Sequence, residues 1–490
     1  MLFNSLDFAV FFPIVFILYW IVAKHLTLRN VLILVASYVF YGWWDWRFLF
    51  LIAISTLVDF FVGKAIYKSE NTSKRKQLLS ISLLVNLGFL IYFKYTNFFI
   101  DTFVDSFKLF GKELEISTLN IILPVGISFY TFQTLSYTID IYRKQLQPTN
   151  NLLAFSAFVA FFPQLVAGPI ERASHLLPQF YKTYKFNYKL VKSGLLLMAF
   201  GLFKKMIIAD RAALYVNEVY NNVDDYNGVG YMYATILFAF QIYCDFSGYS
   251  DIAIGLGRTM GFDLMKNFNS PYISKSLTEF WRRWHISLST WFRDYLYIPL
   301  GGNKKGNYRT YANIFIVFVV SGFWHGAAMT FVIWGAIHGL ILMIEKGSFK
   351  FRQKLFNKVG LNKSNFSNHL FFGLIIFFIV CVAWVFFRAN TLSDSYQVVW
   401  GMFNSFNLGD LFNKETYLIG FKPNEFKIIT ISILFLFIIE SIHNKYNLIK
   451  LLNKQGIIFR WQVYACIVLS IIIFGIYGDR NIQEFIYFQF

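Results

Sequence analysis

QIYCDFSGYSDIAIGLGRTMGFDLMKNFNSPYISKSLTEFWRRWHISLSTWFRDYLYIPLGG, residues Gln241 to Gly302, sets charges and glycines among Trp, Tyr and Phe in a chain that is otherwise strongly apolar. The whole chain is 57% hydrophobic and only 15% charged, whereas a soluble domain is about half apolar and about a quarter charged. Lipid is therefore the expected solvent for most of its surface. In lipid, polar groups and irregular backbone must be buried in protein or line a wet cavity. Gln241 to Gly302 is thus expected to form the interior of an all-α polytopic membrane protein. Aromatic residues, at 21%, exceed what a soluble core uses and suit belts at two membrane interfaces.

Working outward, apolar stretches recur from Phe8 to Ile476. They predict about a dozen crossings of a core ~30 Å thick, several short enough to be re-entrant. No block of mixed polarity large enough for a soluble domain interrupts them, so residues 1–490 read as one integral membrane domain. Its catalytic core is expected over about 120–345 and its C-terminal helices over about 370–490. Phe8 to Ala23 has no basic run before it and no small-residue cleavage site after it, which predicts a retained span. The net charge of +18 would suggest nucleic acid in a soluble protein. Here the bases cluster between apolar stretches, at Lys64 to Lys76, Lys182 to Lys192, Lys346 to Lys363 and Lys445 to Arg460. The positive-inside rule places such loops in the cytoplasm. Lys24 and Arg29 fit the same rule as a cytoplasmic loop, and both termini then fall outside. Cys244, Cys381 and Cys466 are far apart in apolar surroundings and read as small core residues. No zinc motif, nucleotide fingerprint or internal repeat occurs.

From Glu279 to Asp294 the pattern predicts one amphipathic or re-entrant helix. Arg282, Arg283 and Arg293 on it offer guanidinium groups to phosphate or carboxylate, or anchor it at the interface. A second stretch, VSGFWHGAAMTFVIWGAIHG from Val320 to Gly339, places His325 and His338 in an apolar segment. A neutral imidazole can take a proton from a hydroxyl near pH 7, as acyl transfer to an alcohol requires. On one continuous helix these two rings would be separated by about 20 Å of rise and roughly 220° of rotation, so only one of them would be the base. Asp245, Asp251 and Arg258 are further charges at membrane depth, read as ion-pair partners or as lining of a substrate path. Pro163, Gly168 and Pro169 break a span, which suits a tunnel wall.

The segments WRRWHISLSTWFRDYLYIPLGG (281–302) and SGFWHGA (321–327) resemble the membrane-bound O-acyltransferase family. The likeness is to its bacterial branch of alginate O-acetyltransferases and teichoic acid D-alanyl transferases, and it runs over nearly the whole chain. It implies a helical bundle with re-entrant segments and a central tunnel across the membrane. Carried over by motif, His325 matches the principal catalytic position and His285 the second. Trp324, Arg282, Arg283, Trp284, Asp245 and Arg293 are then candidates for the tunnel or for donor binding. The ending NIQEFIYFQF resembles the F-x-Y-x-x-F terminus of bacterial transferases of this branch. Tyr487 there is a candidate covalent acyl carrier, or else an interfacial aromatic anchor.

The resemblance implies O-acetylation of an extracytoplasmic polysaccharide at a bacterial inner membrane. The donor is an anionic thioester, acetyl-CoA or an acyl carrier, drawn to the basic cytoplasmic loops, and no cofactor is expected to remain bound. A separate extracytoplasmic partner of the SGNH type is expected to place the acyl group on the sugar. Two alternatives stand beside this reading: D-alanyl transfer to teichoic acid from a carrier protein, and a non-enzymatic transporter or flippase whose membrane-depth charges line a path.

Overall fold

A chain this apolar can pair its backbone within lipid by forming helices, and the computed structural model takes that course. It describes residues 1–108, 111, 118–166, 168–358, 365–446, 448–477 and 485–486. Among the described residues there are helices and turns but no strand. Six runs among the described residues are long and apolar enough to cross a membrane: Leu26–Lys68, Thr72–Lys108, Met329–Gly347, Ser367–Arg388, Glu425–Lys445 and Ile457–Phe474. The first is two helices of 20 residues, Leu26–Asp45 and Leu49–Lys68, parted where Asp45 turns extended and accepts the Arg47 amide. Fewer runs qualify than the dozen crossings expected, because the remaining segments are short or polar. Leu152–Val159 has only eight residues, and Ile127–Tyr142 buries Thr131, Gln133, Thr134, Ser136 and Thr138.

The chain separates into two compact units, Met1–Leu197 with Ile252–Met265, and Met198–Asp251 with Lys266–Phe490. In the first, a polar seam joins helices that otherwise meet through apolar surface. Asp59 accepts from Ser82 Oγ (2.5 Å) and Asn86 Nδ2 (3.0 Å), while Asn86 Oδ1 accepts from Ser55 (2.6 Å). Arg29 departs from its sequence reading as a loop charge. It is fully buried in the helix Leu26–Asp45, where its guanidinium donates to the carbonyls of Phe180 (3.0 Å) and Lys182. The turn after Leu177 needs those donors more than the membrane surface needs the charge.

The second unit is organised by a hairpin, Gly306–His325 followed by Met329–Gly347. Small residues let helix backbones approach closely where lipid offers no hydrophobic drive. A Cβ on Gly322 would lie 2.2 Å from the Phe331 carbonyl oxygen, and one on Gly335 would lie 2.3 Å from that of Phe318. The hairpin thus depends on two missing methyl groups. Cys244 and Cys381 are buried as expected, but Cys466 is exposed on the helix Ile457–Phe474. That helix buries only Ile471, so an apolar sequence neighbourhood there signals a lipid-facing surface instead of a core.

Candidate active site

The single helix expected over Glu279–Asp294 is broken in two, Leu277–Arg283 and Ile286–Phe292. Ser276 caps the first, its hydroxyl accepting from the Glu279 amide at 3.1 Å. The break falls at Trp284 and His285, and its cause is the loop residue Asn267. The Asn267 carbonyl accepts from the Ile286 amide (2.9 Å), and its side-chain Oδ1 accepts from the Ser287 amide (3.3 Å) and hydroxyl (2.9 Å). These bonds satisfy the orphan donors that open the second helix. To reach them the backbone at His285 turns left-handed, with φ 41°. A non-glycine residue persists there only when its surroundings over-determine it.

The same asparagine fixes the imidazole. Because Asn267 Oδ1 accepts from a backbone amide, it is also the acceptor facing His285 Nδ1 at 3.0 Å. Nδ1 of the neutral ring therefore carries the proton, and Nε2 is the lone-pair nitrogen. His285 is fully buried, with the Phe246 ring edge-on at 4.6 Å and the Trp324 ring at 6.4 Å.

His325 ends the helix Gly306–His325 and is 3% exposed. Trp324 (4.9 Å), Trp334 (5.1 Å) and Phe387 (5.3 Å) enclose it. The helix stops because Gly326 turns extended. A Cβ there would sit 2.1 Å from the Phe331 ring, which itself packs on Phe387 at 4.9 Å. The glycine of W-H-G is thus a steric requirement of the box around His325.

His285 and His325 accordingly share the Trp324 ring. His338 enters the same cluster, contrary to the separation calculated on a continuous helix, because the chain reverses after Gly326. The Trp334 ring lies 5.0 Å from His338 and 5.1 Å from His325. His338 Nδ1 accepts from Trp281 Nε1 at 3.4 Å, which suits a packed, hydrogen-bonded histidine. Trp284 is 1% exposed and extends the aromatic wall through Trp384, 5.1 Å away.

The arginines lie elsewhere. Arg282 is exposed. Arg283 is tied to Glu279 (2.8 Å) and to the Asn269 carbonyl (3.1 Å), and the exposed Arg293 pairs with Asp294 (2.8 Å). Asp245 is buried in an ion pair with Lys205 at 2.9 Å, and Asp251 pairs with Lys204 at 2.6 Å. Tyr487 lies outside the described residues. Sequence reasoning passed over Asn267, Trp334, Phe387 and the two lysines. Only the lysines carried a signal, as adjacent charges in the apolar run GLFKKMIIAD.

Two buried imidazoles in an aromatic enclosure are the groups that proton transfer to and from a hydroxyl calls for. Set among membrane-length helices, such a pair is what an integral membrane group-transfer enzyme would need. The chain belongs to the membrane-bound O-acyltransferase family, MBOAT, whose model matches residues 40–387. It is 42% identical over 408 residues to the probable alginate O-acetylase AlgI of Pseudomonas aeruginosa, covering 83% of this chain and 74% of that protein. It is 32% identical to the peptidoglycan O-acetyltransferase of Helicobacter pylori, covering 100% of this chain and 98% of the other. With the teichoic acid D-alanyltransferase of Bacillus subtilis it shares 31% identity, over 55% of this chain and 70% of the relative. The protein is therefore a multi-pass membrane O-acyltransferase, not the transporter that its buried charges alone allowed.

Proposed function

We propose that this acyltransferase moves an acetyl group from a cytoplasmic thioester, acetyl-CoA or an acylated carrier, across a bacterial inner membrane for O-acetylation of an extracytoplasmic polysaccharide. The observation that carries the reading is the buried pair His285 and His325 gathered on Trp324, in a chain with relatives named for O-acetylation over most or all of its length. His325 is the general base. It takes the proton of the attacking hydroxyl as the oxygen–acyl bond forms and the carbon–sulfur bond of the thioester breaks, and it returns that proton to the departing thiolate. His285 orients and assists through Nε2, its ring locked by Asn267. The Tyr487 phenol is the first acceptor, so that one transfer becomes two: acyl passes from sulfur to the phenol, then from the phenol to a hydroxyl delivered outside. An SGNH-type extracytoplasmic partner completes placement on the sugar.

A second reading, D-alanyl transfer to teichoic acid from a carrier protein, draws support from the Bacillus subtilis relative, but over 55% of the chain against 83% and 100% for the O-acetylation relatives. Membranes containing the protein, given radiolabelled acetyl-CoA, should label protein or glycan above membranes lacking it. Tyr487→Phe should remove the protein-bound label. Label that enters only from a D-alanylated carrier would replace the acetyl reading with the second one. Glycan labelling unchanged in Tyr487→Phe would remove the covalent carrier and leave direct transfer.

A further inference from the structure

The helix Gly228–Thr259 carries Asp245, whose carboxylate is almost fully buried. One of its oxygens meets Lys205 Nζ at 2.9 Å, and the same ammonium meets Asp210 at 2.8 Å. Two buried carboxylates share one lysine, an arrangement that costs free energy unless more donors face them. The further donor to Asp245 is the backbone amide of Ile486, which reaches Asp245 Oδ2 at 2.7 Å. The residues involved are buried as though they belonged to the core: Phe485 is 0% exposed and Ile486 2%. The Phe485 ring packs on Tyr249 at 4.4 Å and on Phe246 at 5.7 Å, and Phe246 is the ring set edge-on against His285 at 4.6 Å. Lys205 lies over the other neighbour, Tyr249, at 5.7 Å.

Lys205 is itself placed by a widened helical turn, Phe203–Ala209, of the kind that recurs at functional sites. The same turn secures the chain where its last long helix ends. The Ile476 amide donates to the Met206 carbonyl at 3.1 Å, and Arg211 from the following helix donates to the Phe474 carbonyl at 2.8 Å.

We propose that Asp245, held by Lys205, is a clamp that, through the Ile486 amide, seats Phe485 against the Phe246 ring bordering His285. It is a positioning residue for acyl transfer, acting through the amide of Ile486. The proposal rests on the acyl-transfer reading for its purpose, since the clamp fixes the two residues that immediately precede Tyr487 in the sequence. Its geometry rests on Asp245, Lys205, Phe485 and Ile486 alone. A charged acceptor suits the task because a backbone amide is the one donor any segment supplies, and a hydrogen bond to a carboxylate is about twice as strong as a neutral one.

The first test is hydrogen exchange by mass spectrometry on the full-length protein in detergent. The C-terminal peptide of the wild type should hold a slowly exchanging amide that Asp245→Ala and Lys205→Met each speed by about tenfold or more, as expected on losing a hydrogen bond to a charged group. Exchange in the hairpin Gly306–Gly347 should stay unchanged, which separates release of the segment from unfolding. Equal exchange in wild type and variants with the hairpin protected would overturn the clamp. The second test leaves Asp245 and Lys205 untouched: Ile486→Pro deletes the donated amide, whereas Ile486→Ala keeps it and shortens the same buried side chain. Ile486→Pro should cut acetyl transfer about tenfold or more, and Ile486→Ala should retain most of it. Equal activity of the two would overturn the positioning role. Should the wild type transfer no acetyl at all, the functional reading fails, while the exchange measurement still decides whether Asp245 holds the segment.

Discussion

His325→Ala is expected to lower acyl transfer by about 10²–10⁴-fold, the usual contribution of a positioned general base, with little change in donor KM. The imidazole is held at a helix end by three aromatic rings and is 3% exposed, so water cannot readily take its place as base. His285 permits a cleaner dissection, because its backbone and its ring make separate demands. The left-handed φ of 41° strains any residue with a Cβ, and glycine adopts it without that cost. His285→Gly should therefore keep the fold while deleting the ring. Transfer should fall by more than an order of magnitude, whereas the melting temperature in detergent should stay within a few degrees. Asn267→Ala should reproduce part of the loss by freeing the ring, and the two substitutions combined should cost less than the sum of each alone, because they act as one unit. Full activity in His285→Gly would show that the ring takes no part. His325→Ala at wild-type rate would remove the proposed base.

The second large effect concerns stability and reverses a common rule. Glycine to alanine inside a helix ordinarily stabilises by up to about 1 kcal/mol. Gly335→Ala should instead destabilise by about 1–3 kcal/mol or more, because its new methyl would fall 2.3 Å from the Phe318 carbonyl oxygen. Gly322→Ala should do the same against Phe331 at 2.2 Å. The obstacle is backbone in both cases, so no side-chain rotation relieves it. Gly88 in the helix Thr72–Leu90 is the internal control, since an added Cβ meets nothing within 4 Å. Gly88→Ala should be neutral or stabilising in the same thermal melt. The two hairpin variants should also lose transfer, because one helix carries His325 and the other carries Trp334 against it. Equal melting temperatures for Gly335→Ala and Gly88→Ala would mean that the hairpin is not held by close backbone contact.

The recurring apolar runs of a 57% hydrophobic sequence determined that the chain folds as helices in a membrane, because such continuous runs in lipid pair their backbone within each segment. The resemblance carried by WRRWHISLS and SGFWHGA pointed to the two histidines now found around Trp324, and W-H-G needs its glycine for a reason that acts within a few residues. Local reasoning failed wherever a distant group decided the outcome. Nothing between Glu279 and Asp294 is a helix breaker. The break at His285 is imposed by Asn267, a loop residue whose amide and carbonyl outbid the helix's own hydrogen bonds. His325 and His338 meet around Trp334 because the chain reverses at Gly326, where periodicity carried along one axis had set them apart. Arg29 reads as a surface charge, yet it is buried by carbonyls about 150 residues away in sequence. Asp245 was legible as a residue in need of a partner, but Lys205 and the amide of Ile486 reach it only after three separated segments pack together. Burial energies and helix propensities are local, so the sequence carries them openly. Satisfying a buried polar group depends on which donors the packed chain brings within 3 Å, and only the tertiary structure settles that.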